Sequence, residues 1–199
     1  YTNTFYIKED TMKAKKWTVT NIPDLTGKTI IVTGGNSGLG YEAVKAFSRK
    51  NANVILASRS VERGEAAKNG IRADYPDVNI NVMPLDLGDL GSIHSFVENF
   101  TKDYEKLDIL LNNAGIMWCP YAETKDGFES QMGVNHLGHF ALTGLLLDVL
   151  KKTTKARVVN VSSLGHRNAD LDLNNLLFEK GGYTPTLAYY NSKLANLLF

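Results

Sequence analysis

Short aliphatic runs alternate with longer amphipathic segments along most of this chain, and that alternation restricts its fold more than any other feature. Residues 29–33, 53–57, 79–85, 107–111 and 156–161 are β-branched or aliphatic runs of strand length. Their near-continuous apolar character predicts strands buried on both faces. Between them, residues of about 38–50, 61–75, 90–104 and 128–152 carry helical patterns long enough for crossovers. Strand, helix, strand repeated in this way predicts an α/β fold with a doubly wound parallel sheet. Such a sheet binds its ligand beyond the carboxyl ends of the strands, where the winding reverses.

The first run, Thr29-Ile30-Ile31-Val32-Thr33, leads directly into Gly34-Gly35-Asn36-Ser37-Gly38-Leu39-Gly40 and then into a helical pattern carrying Tyr41, Val44 and Phe47. Strand, turn and helix in that order are the context a dinucleotide-binding motif requires. The spacing Gly34-x-x-x-Gly38-x-Gly40 differs from G-x-G-x-x-G. The missing β-carbons still permit tight turning and close approach of a pyrophosphate to N–H groups at the helix start. The second run ends Ala57-Ser58-Arg59, with no carboxylate at the tip, where NAD-selective sites usually hold the ribose hydroxyls. Arg59 offers a permanently charged, bidentate partner for a 2′-phosphate, and Ser58 and Asn36 add donors. These residues favour NADP(H) as cofactor, with NAD(H) as the alternative.

Tyr189 and Lys193 stand four positions apart in Tyr189-Tyr190-Asn191-Ser192-Lys193, inside a helical stretch. The separation puts both on one helix face, where an ammonium favours a phenolate and makes the phenol a usable proton donor near neutral pH. Joined to the glycine turn, the pair points to a redox enzyme that moves a hydride.

Twenty-two Lys plus Arg against 21 Asp plus Glu leave a net charge of +1, so no global field favours nucleic acid as a partner. The single cysteine, Cys119, allows no intramolecular disulfide and fits a reducing, cytoplasmic setting. No apolar run approaches the roughly 18 residues of a transmembrane helix, and the N-terminus lacks the apolar centre of a signal peptide. The chain opens at Tyr1, whereas Met12-Lys13-Ala14-Lys15-Lys16 would make a natural start. Residues 1–25 are therefore expected to be an extension or tag, and 26–199 a single nucleotide-binding domain that carries the catalytic residues. The pattern Leu187, Asn191, Leu194, Leu198 is still helical at Phe199 with no cap, from which the chain is expected to stop before the fold does.

With Asn112-Asn113-Ala114-Gly115 after the fourth run and Tyr189-x-x-x-Lys193 near the end, these motifs resemble the short-chain dehydrogenase/reductase family over about residues 26–199. The resemblance implies a Rossmann-type sheet. The glycine turn is similar to the family's T-G-x-x-x-G-x-G, so Gly34, Asn36, Ser37, Gly38, Leu39 and Gly40 would hold the cofactor. Asp86 matches the acidic position that meets the adenine, with Leu87 beside it at the cofactor, and Asn113, Ala114 and Gly115 would line the cofactor with Tyr189 and Lys193. The family's Asn, Ser, Tyr and Lys map onto Asn135, Ser163, Tyr189 and Lys193, with Ser162 as the competing serine.

The stretch from Ser163 to Tyr189 spans 26 positions, about twice what many family members show. It carries His166, Asn168, Leu171, Leu173, Phe178 and Tyr183 and is expected to build a substrate wall. Together with Asn36-Ser37-Gly38-Leu39-Gly40 and Asn191-Ser192-Lys193-Leu194-Ala195-Asn196, it resembles the retinol-dehydrogenase-like branch, whose substrates are retinoids, steroids and other lipophilic alcohols or carbonyls.

In the mechanism this resemblance implies, Tyr189 exchanges the proton and Lys193 activates it and holds the nicotinamide ribose. Ser163 orients the carbonyl, and Asn135 holds a water that links Lys193 to solvent. The outer helices would pair two or four copies into a homodimer or homotetramer. Met117 and Trp118 are candidates for pocket lining, and Cys119 for a small apolar neighbour. His136 and His139, three apart on a helix, lack a third ligand of suitable type, so no metal site is expected. Two other readings stay open: an inactive nucleotide-binding sensor or scaffold of the same fold, and a nucleotide-sugar epimerase, whose T-G-x-x-G-x-x-G spacing differs from the one here.

Overall fold

The computed structural model describes residues 17–199; the start at Met12 lies outside them. Five parallel strands form one sheet: β1 (Thr29–Thr33), β2 (Asn53–Ser58), β3 (Ile80–Pro84), β4 (Ile109–Asn112) and β5 (Arg157–Asn160), in the order β3-β2-β1-β4-β5. The chain winds outward from β1 to β3, then returns to lay β4 and β5 on the other side. The winding reverses between β1 and β4, where Ile31 lies beside Leu110. A crevice opens there, between the glycine turn after Thr33 and the turn after Asn112.

The helices form where capping residues meet an apolar stripe. α1 (Gly38–Ser48) buries Gly40, Val44 and Ser48, one position per turn. α2 (Val61–Asp74) starts at Ser60, whose hydroxyl accepts the Arg63 N–H. α3 (Leu90–Asp103) is capped by Asp89, which accepts from Gly91 and Ser92, and buries Ile93, Phe96 and Phe100. α4 (Ser130–Met132), a π-helical turn (Gly133–Leu137), α5 (Gly138–Leu145) and α6 (Leu147–Lys152) follow in one broken rod. α7 (Pro185–Leu198) carries Tyr189 and Lys193. Thr184 caps it by accepting the Leu187 N–H, and Pro185 fills the first turn, where no N–H is needed.

Side-chain alternation along β1 divides the core. Ile31 packs on one face with Ile93, Phe96, Phe100, Leu142, Leu146 and Leu150, so α3, α5 and α6 lie there. Ile30 and Val32 pack on the other with Val44, Ala67 and Ile71 from α1 and α2. Leu25 joins this second cluster from the segment before β1, and its N–H donates to the Lys50 carbonyl.

Three expectations need correction. β3 is not buried on both faces: it buries only Ile80 and exposes Asn81 and Pro84, because it forms the other edge of the sheet. β5 is not buried on both faces: Val158 and Val159 are 41% and 43% exposed, because the strand ends its side of the sheet and the described helices leave it open. The helix expected over 128–152 is broken twice, by the π-helical turn at 133–137 and at Leu146, where ψ reaches 0°.

Candidate active site

A cavity of about 400 Å³ occupies the crevice at the winding reversal. Gly34, Asn36, Ser37, Leu39 and Gly40 form one wall, Ser58, Arg59, Asp86 and Leu87 another, and Asn113, Ala114 and Gly115 the third. Close backbone approach makes this shape possible. A β-carbon on Gly40 would overlap the Gly34 carbonyl and come within 2.6 Å of the Asn113 amide. Ser37 precedes α1 in extended conformation and its side chain caps no N–H. The first-turn N–H groups, those of the lining residues Leu39 and Gly40 among them, therefore have no side-chain partner, which is what an anionic pyrophosphate requires. Beside them, Asn36, Ser58, Arg59, Ser60 and Arg63 line a second recess. The Ser58 hydroxyl donates to Asn36 Oδ1 at 3.1 Å, and two guanidinium groups with no carboxylate among the lining residues give the recess a positive character. Cavity, unpaired N–H groups and arginines together fit a nicotinamide dinucleotide.

Two more of the predicted residues, Asn135 and Lys193, meet at the Gly115 end of the cavity. Lys193 is 4% exposed, forms no ion pair among the described residues, and donates from Nζ to the Val161 carbonyl at 3.2 Å. Burial lowers its pKa from the ordinary lysine value. Nζ lies 5.7 Å from the centre of the Tyr189 ring, as expected for neighbours four apart on a helix. A β-carbon on Gly115 would stand 3.5 Å from Lys193 Nζ and 3.2 Å from Asn135 Oδ1. Glycine here lets both side chains sit close against the cavity wall.

Asn135 is fully buried in the π-helical turn. Its amide accepts from Ile116 N–H at 2.8 Å and donates to the Ile116 carbonyl and Ser192 Oγ, each at 2.9 Å. Ser192 in turn donates to the Tyr189 carbonyl at 2.7 Å. The turn after β4 is thus fastened to the helix that carries Tyr189. The two candidate serines differ in their commitments. Ser162 spends its hydroxyl proton on the Lys193 carbonyl at 2.7 Å. Ser163 accepts from Gly165 N–H, and its proton has no acceptor among the described residues.

Gly38, Tyr189 and Lys193 do not line the main cavity: Gly38 begins α1 with a φ of 54°, and Lys193 approaches from beyond Gly115, with Tyr189 one turn earlier on the same helix. The long segment after Ser163 divides. Tyr183 donates to the Cys119 carbonyl at 2.6 Å and accepts from Gln131 Nε2 at 3.0 Å, which ties it to the turn bearing Met117 and Trp118. Leu171 and Leu173 instead line an apolar groove with Phe140 and Phe199. Sequence reasoning missed Thr33, Arg63, Gln131 and Ser192, and weighed His139 only as a metal ligand. Two of them carried a signal: Arg63 follows Arg59 by four positions, and His139 follows Asn135 by four. No group of three metal-ligating side chains occurs among the described residues.

A family model described as short chain dehydrogenase matches residues 28–170. Retinol dehydrogenase 12 of Mus musculus is 48% identical over 180 residues, covering 90% of this chain and 56% of its own length. The chain thus spans about half the length of the curated relatives it matches. Among solved structures, an uncharacterized protein from Mycobacterium paratuberculosis superposes with a TM-score of 0.82 and 45% identity, covering 92% of this chain and 64% of that one. A short chain dehydrogenase from Escherichia coli CFT073, solved with NADPH, gives 0.69 and 29%, covering 86% and 68%. With a family model matched across the whole sheet and a relative nearly half identical over nine-tenths of the residues here, this chain belongs to the short-chain dehydrogenase family.

Proposed function

We propose that this chain carries the cofactor site and catalytic residues of an NADP(H)-dependent oxidoreductase that interconverts an alcohol and a carbonyl on a lipophilic substrate. The observation that carries the reading is the meeting at Gly115. One glycine lines the cofactor cavity and has Lys193 and Asn135 packed against it. The nicotinamide cofactor supplies or accepts the hydride when bound. Tyr189 gives the proton to the carbonyl oxygen in reduction and takes it back in oxidation. Ser163 orients that oxygen with its uncommitted hydroxyl proton and stabilises developing negative charge. Lys193 holds the nicotinamide ribose and passes protons to Tyr189. Asn135 fixes the turn at Ile116 and holds a water beside Lys193 through the lone pair left on its Oδ1.

Arg59 and Arg63 at the cavity mouth support NADP(H) over NAD(H), as does the NADPH complex of the Escherichia coli relative. Support for a lipophilic substrate comes from the retinol dehydrogenase relatives and from Met117, Trp118 and Leu164, which stay 53%, 55% and 74% exposed beside residues of the site. No described helix is long and apolar enough to cross a membrane; a cytoplasmic location stays part of the proposal. A homodimer or homotetramer is proposed through α5 and α7, where Phe140 and Leu198 are exposed.

The test is NADPH binding by calorimetry, followed by turnover of retinoid, steroid and aldehyde substrates. Tyr189→Phe keeps NADPH affinity within about twofold and loses at least about a hundredfold in kcat, the span of general acid catalysis. Full activity in this variant would remove Tyr189 from the mechanism.

A further inference from the structure

One buried side chain that none of these roles uses joins the catalytic helix to the cofactor turn. His139 lies on α5, one turn beyond Asn135, and is 1% exposed. Its Nδ1 is 2.9 Å from the backbone carbonyl of Asn135, and its Nε2 is 2.9 Å from Thr33 Oγ1. The chemistry of the partners fixes every proton. A carbonyl only accepts, so Nδ1 carries hydrogen. Thr33 Oγ1 already accepts the N–H groups of Asn113 at 2.9 Å and Ala114 at 3.0 Å, which occupies both lone pairs. Only its own O–H remains to give. Nε2 at 2.9 Å is a better acceptor for it than the Leu111 carbonyl at 3.4 Å. The ring is therefore neutral, protonated at Nδ1 and bare at Nε2. A second ring proton would meet a hydroxyl with no lone pair left.

The connection reaches both halves of the site. Asn135 sits in the π-helical turn, where the Gly138 N–H bonds to the Gly133 carbonyl and the regular ladder is interrupted. The imidazole supplies a side-chain donor to the carbonyl there. At the other end, Thr33 holds the backbone of Asn113 and Ala114, which line the cavity.

We propose that His139 is a positioning residue: through Asn135 it sets the register of the Ile116 turn against Ser192, and through Thr33 it sets the Asn113–Ala114 wall, so that one imidazole aligns the catalytic helix with the cofactor site. What is aligned rests on the oxidoreductase reading; the link itself does not. Burial is the main influence against a positive imidazole here. The titratable neighbours that face the ring, Lys193 from α7 and His136 from the π-helical turn, disfavour it further.

Nitrogen NMR of the intact protein with labelled histidine reads the tautomer directly. Expected is a resonance pair with hydrogen on Nδ1 and none on Nε2, unchanged between pH 8 and about 5.5 and absent in His139→Gln. Hydrogen on Nε2, or titration near the ordinary imidazole value, overturns the proposal. Two half-replacements separate the two ends. The shorter carboxamide of His139→Asn keeps a donor near the position of Nδ1 and loses the Thr33 contact, whereas the longer one of His139→Gln reaches Thr33 and loses the Asn135 contact. Expected is a fall of about tenfold in kcat for His139→Gln, with a smaller change in NADPH Kd. For His139→Asn the expected change is a rise of about tenfold in Kd, with a smaller change in kcat. Tenfold is the order for one buried hydrogen bond. Equal losses in both quantities for both variants, or no loss, would show a merely structural side chain. If neither variant folds, the tautomer in the unmodified protein decides. If the unmodified protein transfers no hydride, the oxidoreductase reading falls, while the tautomer and the NADPH affinity of His139→Asn still decide the link.

Discussion

Arg59 and Arg63 approach the recess beside Ser58 from the loop after β2 and from the first turn of α2. A 2′-phosphate there would accept charge-assisted hydrogen bonds, each contributing roughly 1.5–3 kcal/mol. A 2′-hydroxyl offers them far less. Arg59→Ala is therefore expected to raise the NADPH Kd by about 10- to 100-fold and the NADH Kd by no more than about twofold, as measured by calorimetry at fixed salt. Similar losses for both nucleotides would mean that Arg59 does not read the phosphate. Ser58 assists indirectly: its one hydroxyl proton lies within reach of both Asn36 Oδ1 and the Ser60 carbonyl, which holds the floor of the recess in place and leaves the guanidinium groups to meet the anion.

Among the elements, α7 positions the most chemistry, and its start is the most sensitive point. Thr184 accepts the Leu187 N–H at 3.2 Å, and Gln131 donates to the Pro185 carbonyl at 3.0 Å. Thr184→Ala is expected to lower stability by about 1 kcal/mol in urea unfolding, and Thr184→Ser to restore it; an unchanged midpoint would show that Pro185 and Gln131 suffice. How legible each element was follows from what holds it. β1 and β2 were readable to within a residue or so because aliphatic runs such as Ile30–Val32 bury on both faces of the sheet. The break in the 128–152 rod was not, since Met132, Leu142 and Leu146 keep an apolar pattern across it, and the π-helical turn is stabilised by side-chain bonds from distant positions. The same holds at the site. Gly34, Arg59, Asn113 and Tyr189 stood in local motifs, whereas Gln131, Ser192 and His139 act through partners that only the tertiary fold brings near.

Across the whole molecule, the polar centre between the two halves of the core sets an acid limit on stability. Burial brings the His139 pKa down from 6.5 to about 4, against a smaller opposing effect of its bond to the Asn135 carbonyl. The sign follows from proton counts. Between these values the unfolded chain binds a proton that the folded protein refuses, so stability rises with pH across this window. The contribution is fully present above about 6.5 and is lost progressively as pH falls to about 4, a loss on the order of 3 kcal/mol. His136, pushed down by burial, acts in the same direction. Asp24, held low mainly by Asn51, and Asp89, held low mainly by Lys125, lose their contributions only in more acidic solution, below their ordinary value of 3.8. The two processes therefore separate along the pH axis. Urea midpoints at pH 8, 6.5, 5 and 4 should fall steadily below 6.5 in the unmodified protein and more shallowly in His139→Gln, which has nothing to protonate at that position. Parallel curves for the two proteins would mean that His139 titrates in the folded state at its ordinary pH, and the hydroxyl of Thr33 would then need a different set of partners.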